Sequence, residues 1–189
     1  MNESEEAEAI LRCKAGDKEA FRTLAEQYEK MLFGIAYLMT RDSDLAADAV
    51  QETFLKMWKH ISSLRAGHGL KAWLARILVN EVKQQSRKKR VPTVPIEQAS
   101  GVPDRADSIE IEMERGELRE AVKKALRMLP HAQAQAVVLR YFGGLTLTEI
   151  AFAMGCREGT VKSRLSRALG RLEGILRDEV MAVWEEVEK

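Results

Sequence analysis

The residues with the most to offer a partner lie in one stretch, TLTEIAFAMGCREGTVKSRLSRALGRL. Within it Arg157, Lys162, Ser163, Arg164, Arg167 and Arg171 recur at helical spacing around an apolar stripe that contains Val161 and Leu165. Guanidinium and ammonium groups grip phosphate oxygens, and a forked guanidinium or a hydroxyl can also reach a base edge. Charged helical residues more commonly do no more than solvate a surface, but six bases against two acids from Gly155 to Arg177 weaken that reading. Covalent chemistry has little to draw on. His60, His68 and His131 are scattered, there is no Gly-rich phosphate loop, and no serine or cysteine sits in a nucleophile motif. Neither catalysis nor a metal or organic cofactor is expected. Cys13 and Cys156 lie far apart without metal-like spacing and read as reduced structural thiols.

The elements that must hold the basic residues are marked in the same stretch. Thr146 and Glu149 form an S/T-x-x-E capping box, which supplies partners for the exposed backbone N–H groups where a helix starts. Gly155 permits a left-handed turn after it, and Ala151 offers a small side chain where two helices would cross. The unit reads as a helix-turn-helix, whose second helix enters a DNA major groove.

Elsewhere apolar residues recur three and four apart, so the chain is expected to be all-α. The first half holds a short helix over Glu5 to Lys14, a long one capped by Asp17 and running to Met39, and a third capped by Ser43 or Asp44. The long helix carries the stripe Phe21, Leu24, Tyr28, Leu32, Ile35 and Leu38. The third turns Leu45, Ala49, Val50, Phe54, Leu55, Trp58 and Ile61 inward and Asp48, Gln51, Glu52 and Lys56 outward. A fourth begins near Leu70, with Trp73, Leu74, Ile77, Leu78 and Val82 as its apolar side; the burial habits of tryptophan put Trp73 in the core. Four more helices span about 112–128, 131–141, 147–154 and 158 to at least 176.

The net charge of +1 conceals a polarised distribution, with six bases and one acid from Arg76 to Arg90 and eight acids and three bases from Glu97 to Glu120. Between Val91 and Ser108 the chain holds three of its four prolines and loses periodicity, which reads as a flexible linker. Two small helical domains follow: residues 1–90 and 112–189, joined by 91–111. The acidic start is unlike a secretory signal and no apolar run approaches membrane-spanning length, so a cytoplasmic protein without membrane insertion is expected.

Read in order, these blocks resemble the extracytoplasmic-function group of bacterial sigma factors. FRTLAEQYEKMLFGIAYLMT, AADAVQETFLKMW and KAWLARILVNEVKQQSRKKR look like successive pieces of the family's region 2, and ALRMLPHAQAQAVVLRYFGGLTLTEIAFAMGCREGTVKSRLSRALGRL looks like region 4. The resemblance implies core RNA polymerase as a partner, through the clamp helices of its largest subunit and its flap, together with promoter DNA and an anti-sigma factor. It places polymerase docking on Asp48, Gln51 and Glu52, with Lys56 beside them. Recognition and melting of the −10 element fall to the loop 62–69 and to Lys71, Arg76, Asn80, Lys83, Gln84, Arg87 and Lys88. Asn80 offers both donor and acceptor to a base edge, and the bases can follow the phosphates of a separated strand. The −35 element falls to Arg157, Glu158, Thr160, Lys162, Ser163, Arg164, Arg167 and Arg171. The linker would thread toward the RNA exit path.

Two positions depart from the family pattern. Gln84 stands where aspartate is common, and the loop before the fourth helix is short and glycine-bearing. Both bear on which −10 base is preferred. The competing reading is a stand-alone helix-turn-helix regulator, which leaves Glu52 and the basic helix ending at Arg90 without a task.

Overall fold

The computed structural model describes residues 1–64, 69–88 and 113–187, with side chains over 1–64, 69–85 and 121–177. The linker at 91–111 lies outside the described residues, as do positions 65–68 of the loop. Helices account for every regular element among the described residues: α1 (Glu3–Lys14), α2 (Lys18–Thr40), α3 (Ser43–His60), α4 (Leu70–Lys88), α5 (Met113–Met128), α6 (His131–Val137), α7 (Leu147–Met154) and α8 (Glu158–Val187). A 3-10 turn at Ile61–Ser63 follows α3, and α6 runs on into a π turn at Val138–Phe142.

Local chemistry sets the helix starts. α1 begins two residues before the expected Glu5, because Asn2 makes a capping box with it: the Glu5 N–H donates to Asn2 Oδ1 (2.9 Å) and the Asn2 N–H to Glu5 Oε2 (2.8 Å). Asp17 caps α2 as expected, accepting from the N–H groups of Glu19 and Ala20. The cap of α3 is Asp42, not Ser43 or Asp44. Arg41 ends α2 in a left-handed conformation, φ 61°, which leaves Asp42 extended. Its carboxylate is then the first to reach the free N–H groups, those of Asp44 (3.1 Å) and Leu45 (3.0 Å).

The buried side chains form one cluster that draws on both halves of the chain, from Cys13 to Ala168. On α2 the expected stripe is inside: Leu24, Tyr28, Leu32 and Ile35 are buried, with Phe21 and Leu38 packed at its edge. α4 contributes Leu74, Leu78 and Val82 together with Ala75 and Val79, and Trp73 packs against the core. α3 departs from its expected register. Ala46, Ala49, Val50, Thr53 and Met57 are buried, whereas Leu55 and Trp58 are 45% and 38% exposed. The apolar arc of α3 is wider than the groove between α2 and α4, and the small side chains let it approach on the Ala46–Ala49 side. Trp58 instead meets Phe21 edge-on at 5.2 Å. Both cysteines are free thiols, and burial pushes the Cys13 thiol upward.

Candidate nucleic-acid and polymerase interfaces

The helix-turn-helix follows from its residues one at a time. The Thr146 N–H donates to Glu149 Oε2 (2.8 Å) and the Glu149 N–H to Thr146 Oγ1 (3.3 Å), which starts α7. Gly155, at φ 65°, ends it, and the Cys156 N–H returns to the Ala151 carbonyl (3.0 Å). α8 then buries Val161, Leu165 and Ala168. That burial fixes its rotation and leaves Arg157, Lys162, Ser163, Arg167 and Arg171 exposed around the outer face.

The remaining residues assigned to this face are more engaged. Arg164 is half-buried, its guanidinium 3.6 Å from the Cys156 sulfur. Glu158 accepts from Lys162 (3.1 Å) and from the Thr148 hydroxyl (3.1 Å), tying the start of α8 to the start of α7. These bonds, that from Lys162 first, hold the Glu158 carboxyl below its ordinary value. Thr160 is partly buried, and its carbonyl accepts from the Ser163 hydroxyl (3.0 Å). The cations most available to a polyanion are therefore Arg157, Arg167 and Arg171.

On α3, Asp48, Gln51 and Glu52 are all exposed. At about 100° per residue they share an arc of roughly 120° with Leu55 and Trp58. A mixed face of two acids, an amide and two large apolar side chains is suited to gripping a protein, since apolar anchors ringed by polar groups carry most binding energy. Sequence reasoning placed Leu55 and Trp58 inside; their spacing from Gln51, four and seven residues on, was the signal that could have put them here. Lys56 stands at the edge of this arc, about 40° beyond Glu52, and its side chain reaches across to α4. Its ammonium lies 2.5 Å from the Glu81 carboxylate, in an ion pair whose side chains are 37% and 9% exposed.

On α4, helical geometry puts Arg76, Asn80, Lys83 and Arg87 within roughly 60° of one another, with Gln84 and Lys88 progressively off that line and Lys71 nearly opposite it. Asn80 and Gln84 are exposed and Lys83 half-buried; the side chains of Arg87 and Lys88 lie outside those described. Lys71 donates to the Gly144 carbonyl (3.1 Å), and the Arg76 guanidinium lies 4.5 Å from the centre of the Phe152 ring. A shallow groove lined by Arg76, Ala151, Phe152, Gly155, Cys156 and Arg157 thus joins the α4 face to the turn of the helix-turn-helix. Among the described residues no cluster of His, Cys, Asp and Glu could hold a metal ion, and no helix is long and apolar enough to cross a membrane.

Comparison with known proteins finds two family regions along the chain. Residues 24–91 match sigma-70 region 2 and residues 119–172 match sigma-70, region 4. The chain is 35% identical to the ECF RNA polymerase sigma factor SigM of Mycobacterium tuberculosis, over 93% of this chain and 86% of that protein. It is 32% identical to the RNA polymerase sigma-H factor of Pseudomonas aeruginosa, over 89% and 92% of the two chains. Among solved structures, the sigma factor RpoE of Bartonella quintana, in complex with the anti-sigma factor NepR, matches with a TM-score of 0.62 at 32% identity, over 82% of this chain and 98% of that one. CnrH, in complex with the cytosolic domain of CnrY, shares the fold at a TM-score of 0.70 and 21% identity, over 92% and 98%. Two family regions in the right order, with 35% identity to SigM over 93% of this chain, place the chain in the ECF group of RNA polymerase sigma factors.

Proposed function

We propose that this protein binds core RNA polymerase and directs promoter-specific initiation, without catalysing a reaction itself. Residues 1–90 form the unit that docks on the polymerase and holds melted −10 DNA, residues 112–189 form the unit that reads the −35 element, and 91–111 link them. Asp48, Gln51 and Glu52, with Leu55 and Trp58 beside them, grip the clamp helices of the largest subunit; Lys56, committed to Glu81, positions α3 on α4. Arg76, Asn80, Lys83, Gln84, Arg87 and Lys88 follow the separated strand, with Lys71 at the start of the same helix. Arg157 just before α8, and Lys162, Arg167 and Arg171 on it, hold the duplex, while Glu158 and Thr160 brace the helix start. Ser163 reaches toward base edges, and Arg164 does so when its guanidinium leaves the Cys156 sulfur. The protein works in the cytoplasm, and an anti-sigma factor holds it inactive, as the complex of the similar Bartonella RpoE with NepR suggests.

The observation that carries this reading is the separation of two exposed faces of opposite character: acid, amide and apolar groups on α3, and cations on α8. A stand-alone regulator has use for only the second. The test is in vitro transcription with purified chain and core polymerase, beside pull-down of core enzyme by wild type and Glu52→Arg. Specific start sites with wild type and a loss of capture on charge reversal are expected. Equal capture by both proteins would remove α3 from the interface, and duplex binding without any initiation would favour the regulator.

A further inference from the structure

Polymerase docking and capture of the melted strand fall to different helices, α3 and α4, so the register between these two helices bears on function. The buried side chains of α3 ahead of Met57 are short: Ala46, Ala49, Val50 and Thr53. Short side chains make shallow ridges, which interlock weakly with a neighbouring helix. Thr53 adds no polar link, since its hydroxyl donates to the Ala49 carbonyl of its own helix (2.7 Å). Two side chains of α4 supply the directional bonds. The Gln85 amide, turned so that both of its polar atoms are satisfied, donates to the Leu45 carbonyl (3.1 Å) and accepts from the Ala49 N–H (3.3 Å). Those two backbone groups stand four residues apart and are the acceptor and donor of one turn of α3. They serve each other within the helix, so Gln85 is not needed to satisfy them; its bonds fix where α4 sits. One turn earlier on α4, Glu81 is 7% exposed and takes the Lys56 ammonium at 2.5 Å.

Glu81 and Gln85 lie about 40° apart around α4, and roughly 150° from the centre of the arc that holds Arg76, Asn80, Lys83 and Arg87. The helix therefore clasps α3 with one side and offers the other to the strand. Bonds to fixed points on a neighbour specify register where apolar contact alone does not. A slip of one helical turn moves α4 by about 5.4 Å, and a binding constellation has to be held within roughly 0.5 Å. We propose that Gln85 and Glu81 are positioning residues, which fix α4 on α3 so that polymerase gripped by one helix presents the other correctly to melted −10 DNA. The inference rests on the assignment of the two faces given above. A neutral hydrogen bond biases a two-state equilibrium about fivefold, so loss of the Gln85 bonds should lower strand capture by about that factor and leave attachment to polymerase alone.

The test compares wild type, Gln85→Met and the double variant Lys56→Met, Glu81→Met, each as full chain with core polymerase. Methionine keeps the length of the side chain and removes the directional bonds, and the double variant leaves no unpaired charge. Pull-down measures capture of core enzyme, and permanganate reactivity of the −10 thymines, scaled to bound holoenzyme, measures strand capture. Capture of core should be equal for all three. Reactivity should fall about fivefold in Gln85→Met, and several-fold in the double variant even though its urea stability is close to that of wild type. A merely structural role makes the opposite prediction, that regained stability brings regained reactivity. If Gln85→Met loses helicity by circular dichroism, the double variant decides alone. A folded variant that holds core and matches wild-type reactivity would overturn the positioning role, as would loss of core capture in step with reactivity. In both cases a wild type that opens the promoter leaves the proposed function standing, whereas a wild type that opens none overturns both.

Discussion

Lys56 separates two readings of one side chain, because it sits next to the docking face in sequence and faces the core in space. Replacing it with methionine keeps most of the aliphatic stem and removes the charge. The Glu81 carboxylate, only 9% exposed, would then be left without its cation. Breaking a fully buried pair costs about 3–5 kcal/mol. Lys56 is more than a third exposed, so water reaches its side of the pair and screens it. A loss of about 1–2 kcal/mol follows, most of it the cost of the stranded acid. Urea denaturation measures it directly, and the double variant Lys56→Met, Glu81→Met should regain most of the loss, since it leaves no unpaired charge. Capture of core polymerase by Lys56→Met under folding conditions should be unchanged. Undiminished stability together with weakened capture would refute the structural role and return Lys56 to the interface.

Two further perturbations address the helix-turn-helix. Thr146→Ala removes the one hydroxyl that both accepts from the Glu149 N–H and donates to its carboxylate, and should cost about 1 kcal/mol, seen as a fall of several degrees in thermal midpoint and a matching loss of duplex binding. Glu158 has its carboxyl depressed in the folded chain, so its contribution to stability is present above its ordinary value of 4.5 and is lost as pH falls through the lower folded value. Denaturation midpoints followed from neutral pH into that acid range should fall less for Glu158→Gln than for wild type; parallel curves would show that the bonds from Lys162 and Thr148 do not set the pH response.

What could be read from the sequence was whatever is decided within a turn or two of helix. The Thr146 and Glu149 box, the cap at Asp17 and the left-handed Gly155 involve residues at most a few positions apart, and their chemistry holds whatever else the chain does. The outward side of α8 was legible for the same reason, since a narrow apolar stripe leaves one choice of rotation. On α3 the apolar arc admitted more than one rotation, and only the groove between α2 and α4 could choose Met57 over Trp58. The pair of Lys56 with Glu81 and the contact of Arg164 with Cys156 likewise depend on neighbours that periodicity does not supply. Gly34 was a signal left unused: a glycine inside a long helix indicates that something comes close to its backbone, here the Phe142 ring.

A π turn is an ordinary helix that has taken in one residue more than its hydrogen bonds need. Between Val138 and Phe142 that surplus is visible in the Gly143 N–H, which bonds back five residues to the Val138 carbonyl at 2.9 Å. Every residue downstream is consequently turned by about 100° from the course an unbroken α6 would have set. The helix-turn-helix is thus aimed by an insertion as well as by its own sequence. Shortening this segment by one residue would leave each motif intact while swinging the reading head to a new bearing.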